Sequence, residues 1–330
     1  MMQFALSRAI QSLLVMAVVS LGSFFLFGHI GDPVENMLGQ EATPAEKQAL
    51  RTELGLERPA ALRFLAFVGQ ILEGNLGVSY RYGRPVADLL LERAPATIEL
   101  VSVSALLALS AGVSLGVYVA LHPNTRSSSA VMALALLATS LPTFVTGTLL
   151  IYGLSVGAQL FPAFGRGDTI AFGGWTTGLL TASGLKSIVL PAVTLAFFQF
   201  ALILRLVRSE VRDVLKEDYV RFARARGLSS RTVLFRHVLR NALLPLITVV
   251  GAQIGSLLAY AVITETVFQW PGLSKLFIDA VQFADIPVLS AYLLIVAGVF
   301  VLINLIVDIL YVILDPRIRA GSTAGAAKGA

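Results

Sequence analysis

No cysteine occurs among the 330 residues, which excludes disulfides, thiolate nucleophiles and cysteine-ligated zinc or iron–sulfur centres. Charge is scarce as well, at 14% of residues, where a soluble domain carries roughly 25%. With 56% hydrophobic residues and a mean hydropathy of +0.80, the chain has too little polar surface to cover a globule. The bilayer must be its solvent. Histidine is limited to His29, His122 and His237, scattered too widely for a metal site. The sequence has no G-x-x-x-x-G-K-[ST] run, so it lacks the loop that cradles nucleotide phosphates.

What the sequence does contain is a series of apolar runs. Six are long enough for a helical span, which needs about 20 residues. They lie at about 9–30, 97–121, 130–153, 187–206, 242–268 and 287–314, the fourth interrupted by Pro191 and Gln199. The first exceeds the apolar core of about 7–15 residues in a cleaved signal, and no small-x-small site follows, so it is expected to stay as a span. An all-α membrane fold results. With the N-terminus inside, fifteen basic residues fall on inner segments, ten of them between Arg205 and Arg240. The short outer loops hold only Arg166, Lys186 and Lys275, and the asymmetry places both termini in the cytoplasm. Because the net charge of +5 is gathered in one loop, no nucleic-acid partner is expected.

The outer segment 31–96 carries helix signals. In Thr43-Pro44-x-Glu46, Thr43 can cap, Pro44 suits the first helical position and Glu46 can reach back, with Gly55 as terminator. A second helix is expected from Pro59 to about Leu72, with Leu62, Phe64, Leu65 and Val68 on its apolar side. A turn at Gly74–Gly77 and a third short helix over Pro85–Arg93 complete an outer helical cap. Residues 161–184 are rich in Gly and Thr, with Trp175 as an interfacial anchor, and the tail 320–330 is expected to be flexible.

A charge at mid-bilayer costs about 2.5–3.5 kcal/mol, so polar groups within spans point to function. Gln199, Gln253, Glu265, Asn304 and Asp308 are such groups. Gln199 and Gln253, together with Glu265, are candidates to line a passage, since glutamine offers a peptide backbone both donor and acceptor. Bonding between helices is the competing role. Gly112-Val113-Ser114-Leu115-Gly116 matches the G-x-S-x-G nucleophile elbow, but that motif needs a preceding strand. His122 lies about 12 Å further along the same helix, too far to act as base. Gly112 and Gly116 therefore read as a close-packing face, as do Gly251 and Gly255.

The basic loop 207–241 is the most distinctive stretch. The pattern predicts an amphipathic helix from about Arg205 to Arg226, with Tyr219, Phe222, Ala223 and Arg226 at i, i+3, i+4 and i+7. Gly227 suits a left-handed cap, and Ser229 or Ser230 can start a helix that continues through His237 into the fifth span. Small Ala223 and Ala225 would admit another protein's surface, and Tyr219 and Phe222 call for a cover. A solvated helix whose arginines merely orient the chain is the plainer alternative.

At these residues the sequence resembles the permease subunits of binding-protein-dependent ABC importers, in the dipeptide/oligopeptide branch. The family's cytoplasmic signature has Glu-Ala-Ala, three residues, then Gly, with Leu-Pro further on. Ala223 holds the third position, Gly227 follows at the expected spacing and Leu244-Pro245 closes the motif. Arg221 replaces the Glu, and Pro245 lies further from Gly227 than in sugar importers. The resemblance extends over nearly the whole chain: Gly31-Asp32-Pro33, LRTELGLERP at 50–59, GNLGVSY at 74–80, RPVADLLLERAPATIEL at 84–100, ETVFQWPGL at 265–273 and LDPRIR at 314–319.

The resemblance implies the type I importer permease fold in the inner membrane, with no cofactor in this chain and with ATP and Mg bound by partner ATPase subunits. It makes Asp218, Tyr219, Arg221, Phe222, Ala223, Arg224, Ala225, Arg226 and Gly227 the loop that couples to the ATPase. The implied partners are a homologous second permease, two cytoplasmic ATPase subunits and an extracytoplasmic substrate-binding protein. Substrates would be di- or oligopeptides, while close relatives carry nickel chelates, glutathione or oligosaccharides. A self-sufficient secondary transporter or channel is the alternative. It would need mid-bilayer coupling carboxylates, in which the spans are poor.

Overall fold

The computed structural model describes residues 2–27, 33–38, 42–53 and 55–314. His29, residues 28–30 of the first expected span, the Asp308 side chain and the tail 320–330 lie outside the described residues. Helix α1 (Met2–Phe27) is followed by α2 (Pro33–Leu38) and α3 (Pro44–Glu53). The latter starts at the expected capping box: Thr43 N–H donates to Glu46 Oε2 at 2.8 Å and Glu46 N–H reaches Thr43 Oγ1 at 3.4 Å. The donated Thr43 peptide hydrogen bond, then that of its hydroxyl, holds the Glu46 carboxyl below its ordinary range. Gly55, at φ +65°, reverses the chain as expected.

Helix α4 (Ala60–Leu72) sets the Phe64 and Phe67 rings 5.4 and 6.0 Å from Phe24 of α1. Its expected apolar side is corrected: Phe64 and Val68 are half-buried, but Leu62 and Leu65 are 55% and 64% exposed. Helix α5 (Val86–Leu121) absorbs both the third short helix and the second expected span, because Pro95 is accommodated inside it. A proline there leaves only the Leu91 carbonyl without its helical donor. Helices α6 (Arg126–Ser140) and α7 (Thr143–Leu150), the latter extended by a π-helical turn at Ile151–Gly157, meet at 114°. The straight span over 130–153 is therefore not formed. Leu141, which precedes Pro142, is forced to extended backbone at φ −91°, ψ 130°.

Strands β1 (Ile170–Phe172) and β2 (Trp175–Thr177) pair antiparallel around Gly173-Gly174, with Phe172 opposite Trp175. Helix α8 (Ala182–Val214) runs through Pro191 and Gln199 without the expected interruption. It ends at Val214, so the single helix expected from Arg205 to Arg226 is two, separated by a turn at residues 215–217. After α9 (Asp218–Ala225) come α10 (Ser230–Thr232), a π-helical segment Val233–Val238, and α11 (Leu239–Ala242). Helices α12 (Leu244–Val267), α13 (Leu273–Gln282) and α14 (Ile286–Leu314) complete the order. Among the described residues, three helices are long and apolar enough to cross a membrane, and five if each bent pair counts as one span.

The chain forms two compact units. The first takes the described residues of Met1–Glu99, Phe164–Leu185 and Gln269–Val301. Its core joins Val86, Leu89 and Leu90 of α5 to Leu276 of α13 and to Val288 and Leu289 of α14. Trp270 is buried, with its indole N–H donating to Ala96 O at 2.9 Å. The buried Asp285 carboxylate accepts from the Ser79 hydroxyl and from the backbone N–H groups of Tyr80 and Arg81 at 3.1 and 3.3 Å.

The second unit takes Leu100–Ala163, Lys186–Phe268 and the described part of Leu302–Ala330. Within it Gly112 and Gly116 let α5 approach α8, as expected. A Cβ on Gly112 would stand 2.7 Å from Ile203 Cγ2, and one on Gly116 would stand 2.9 Å from Leu204 O. Ser114 is exposed on that helix, with no strand before it, so the nucleophile-elbow reading fails. Gly251 likewise abuts Val307, and Gly255 is buried.

Candidate functional site

Helix α9 is short because its sequence defines both ends. Asp218 stands in the first turn and Arg224 in the last, each matched to the helix dipole. At the C-terminus Gly227, at φ +78°, donates its N–H to Arg224 O at 2.9 Å, and Leu228 N–H reaches Ala223 O at 3.4 Å. This paired closure needs a left-handed residue, for which glycine carries no Cβ penalty. Of the two serines proposed as the next cap, Ser229 takes the role, accepting from Thr232 N–H at 3.3 Å.

The buried side of α9 is Val220 and Ala223, packed into the same core as Val211 of α8 and Val233 and Val238 of the following π segment. This corrects the expectation that Ala223 admits another protein: it faces its own unit, and of the two alanines only Ala225 is exposed. The other side carries Tyr219 at 41% and Phe222 at 64% exposure. Arg226 sits 5.8 Å from the Phe222 ring centre, and Arg221 pairs with Asp218 at 3.5 Å in a solvated bridge of small energetic weight. Phe235, on the next helical segment, is 68% exposed. The Tyr219 hydroxyl accepts from Asn241 Nδ2 at 2.9 Å, and the same amide donates to His237 O at 2.9 Å. Helix α9 is thus fixed to the segment that leads into α12, while its aromatic side and Arg221, Arg224 and Arg226 stay in solvent.

The three polar residues proposed to line the passage separate into a pair and an outlier. Gln199 is 2% exposed, and its Nε2 donates to Gln253 O at 3.2 Å across a narrow cleft walled by Ala105, Ala108, Ile203 and Leu257. Its Oε1 accepts from nothing among the described residues. The structure therefore brings Gln199 and Gln253 together. Glu265 lies twelve residues further along α12, about 18 Å at helical rise, and is fully buried. Among the described residues no cluster of His, Cys, Asp or Glu is arranged to hold a metal.

Sequence reading missed the contacts that join distant segments. Asn241 as partner of Tyr219 is one, and the buried pair of Glu99 with Arg166 is another. The signal for the second was a carboxylate opening an otherwise apolar span.

Two family sequence models cover the chain. One, described as the inner membrane component of binding-protein-dependent transport systems, matches residues 112–320. The other, the N-terminal part of the membrane component of such systems, matches residues 1–101. The dipeptide transport system permease protein DppB of Escherichia coli K12 is 38% identical over 313 residues, covering 89% of this chain and 92% of its own. The oligopeptide transport system permease protein AppB of Bacillus subtilis 168 is 36% identical over 321 residues, covering 97% and 100%. The di/tripeptide permease DppB of Pseudomonas aeruginosa UCBPP-PA14 reaches 40% over 302 residues, covering 88% and 90%. Among solved structures, a chain of the MetNI methionine ABC transporter in an inward-facing conformation superposes with a TM-score of 0.54 at 17% identity. It covers 69% of this chain and 96% of its own, and shows a shared fold.

Proposed function

We propose that this chain, which belongs to the family of inner membrane components of binding-protein-dependent transport systems, is the permease subunit of a peptide importer. The observation that carries this reading is the similarity, at 36–40% identity over nearly the full length, to dipeptide and oligopeptide permeases. Of the finer assignments that follow, the partners rest on the family, and the spans and the lever on the chain's own residues.

Six spans are assigned to α1, α5, the bent pair α6–α7, α8, α12 and α14, with both termini in the cytoplasm because the basic residues gather between Arg205 and Arg240. A second, homologous permease completes the passage. Two ATPase subunits, holding ATP and Mg, act from the cytoplasm, and a binding protein delivers peptide from outside. Helix α9 is the lever. Its buried Val220 and Ala223 make it rigid with its own unit, and its exposed Tyr219 and Phe222 offer a partner an apolar grip. Motion imposed on α9 reaches α12 through the Tyr219–Asn241 contact and the shared core. Gln199 and Gln253 supply polar groups to the passage.

The decisive experiment is Gly227→Val in the assembled transporter. A β-branched residue at φ +78° distorts the turn after α9 without touching the spans. ATP-dependent uptake of a dipeptide should be lost while membrane insertion and subunit content persist. Unchanged uptake would remove α9 from the coupling path.

A further inference from the structure

The first unit contains a cavity of about 390 Å³ that the transport reading does not use. One wall is apolar, made by Phe24 near the end of α1, Phe67 and Ile71 of α4, and Ala291 and Leu294 of α14. The other presents Arg58, Arg63, Gln70 and Tyr80. Among the described residues no carboxylate lines it and neither arginine forms an ion pair. Arg63 rests 5.7 Å from the Phe24 ring centre, so its charge sits against the apolar wall. Burial, and next the charge of Asp285, pushes the Tyr80 phenol up, and its hydroxyl is a neutral donor at pH 7 as any tyrosine's is.

The cavity's level in the fold restricts its occupant. Its walls include the cap-side ends of two long apolar helices, α1 and α14, which is where hydrocarbon meets head groups. Helix α4 presents Leu62, Leu65 and Leu72 outward on the same short stretch of chain, as a helix lying in that interface does. Two guanidiniums beside aromatic and aliphatic walls match one chemistry: a phosphate head joined to an acyl chain.

We infer that this cavity binds an anionic phospholipid, its phosphate held by Arg58 and Arg63 and its chain laid along Phe67, Ile71 and Leu294. The lipid anchors the helical cap to the leaflet on its side of the membrane. The inference rests on the assignment of α1 and α14 as spans, and its test does not depend on which solute is transported.

The test reads bound lipid on the full chain by native mass spectrometry after release from nanodiscs of phosphatidylcholine, with and without phosphatidylglycerol. Wild type should retain one phosphatidylglycerol in preference to phosphatidylcholine. Arg58→Ala/Arg63→Ala should lower that retention about tenfold or more, as loss of charge-assisted hydrogen bonds implies. Arg58→Lys/Arg63→Lys should keep most of it, and the singly substituted Arg58→Gln, at an exposed position, provides a variant whose fold is not at risk. Glycerol phosphate, which has the head and no chain, should not displace the lipid. Equal retention in the alanine variant, equal retention of phosphatidylcholine, or displacement by glycerol phosphate would each overturn the assignment.

Discussion

Arg166 Nη2 lies 2.6 Å from Glu99 Oε2, with both side chains under a tenth exposed. The guanidinium also donates to Thr176 Oγ1 and Thr176 O at 3.1 and 2.7 Å, so the pair stitches the β1–β2 hairpin to the start of the second apolar run. Such a pair offsets its own desolvation only while both partners remain. Breaking it from one side, by Glu99→Gln or Arg166→Met, should lower stability by about 3–5 kcal/mol. The double variant Glu99→Leu/Arg166→Met should lie closer to wild type than either single one. Thermal melting in detergent, arranged as a double-mutant cycle, checks this.

Val220 and Phe222 sit two residues apart and predict opposite outcomes. Val220 is fully buried, so Val220→Asp places an uncompensated charge in the core of the second unit and should prevent stable folding. Phe222→Asp should leave the melting temperature near that of wild type and abolish co-purification of the ATPase. The measurement is melting and ATPase content on the same preparations.

Glycine at 116 is predicted to be irreplaceable where glycine at 69 is not. A Cβ at Gly116 meets the Leu204 carbonyl at 2.9 Å, and backbone cannot step aside, so Gly116→Ala should cost about 1–3 kcal/mol. At Gly69, inside α4, nothing lies within 4 Å, and Gly69→Ala should stabilise by about 0.4–1 kcal/mol. Melting temperatures of the two variants should move in opposite directions.

The Thr43–Glu46 box gives α3 a pH dependence of defined sign. The folded pKa of Glu46 is lowered from 4.5, so its contribution is present above that unfolded value and is lost as pH falls through the folded one. Hydrogen exchange of α3 amides, corrected for intrinsic rate, should show α3 loosening on acidification. Glu46→Gln should remove that acid dependence, whereas Thr43→Ala, which keeps the peptide donor and loses only the hydroxyl, should reduce it and loosen the helix at neutral pH too.

Features encoded within a few residues were readable in the sequence: the Thr43–Glu46 box, the Gly227 cap, and the Gly112/Gly116 approach all follow from local stereochemistry. The Gly173-Gly174 hairpin carried the same kind of signal, two glycines between β-prone residues, but the surrounding Gly and Thr content masked it. Proline misled in both directions. Pro95 and Pro191 sit inside long helices, whereas Pro142 bends its run by 114°, and a proline alone does not say whether neighbouring packing will hold the helix together. In α9 the exposure of Tyr219 and Phe222 was legible, but Ala223 turns inward with Val220 rather than outward, because burial is decided by Val211, Val233 and Val238 on other segments. Pairings such as Glu99 with Arg166 were beyond reading, since residue type reveals a need for a partner and not its address.

Asp285 and the Ser79–Arg81 turn that it clasps are separated by roughly 200 positions in the chain, the Ser79 bond spanning 206. At a synthesis rate of about 5–20 residues per second, the turn waits about 10–40 s for its acceptor to be made. Throughout that interval the turn has emerged but stays unlocked, and the last long helix must be translated before the first unit can close. Ribosome stalling or early termination before residue 285 would therefore release a protein whose apolar segments are largely made but whose Ser79–Arg81 turn has no keystone.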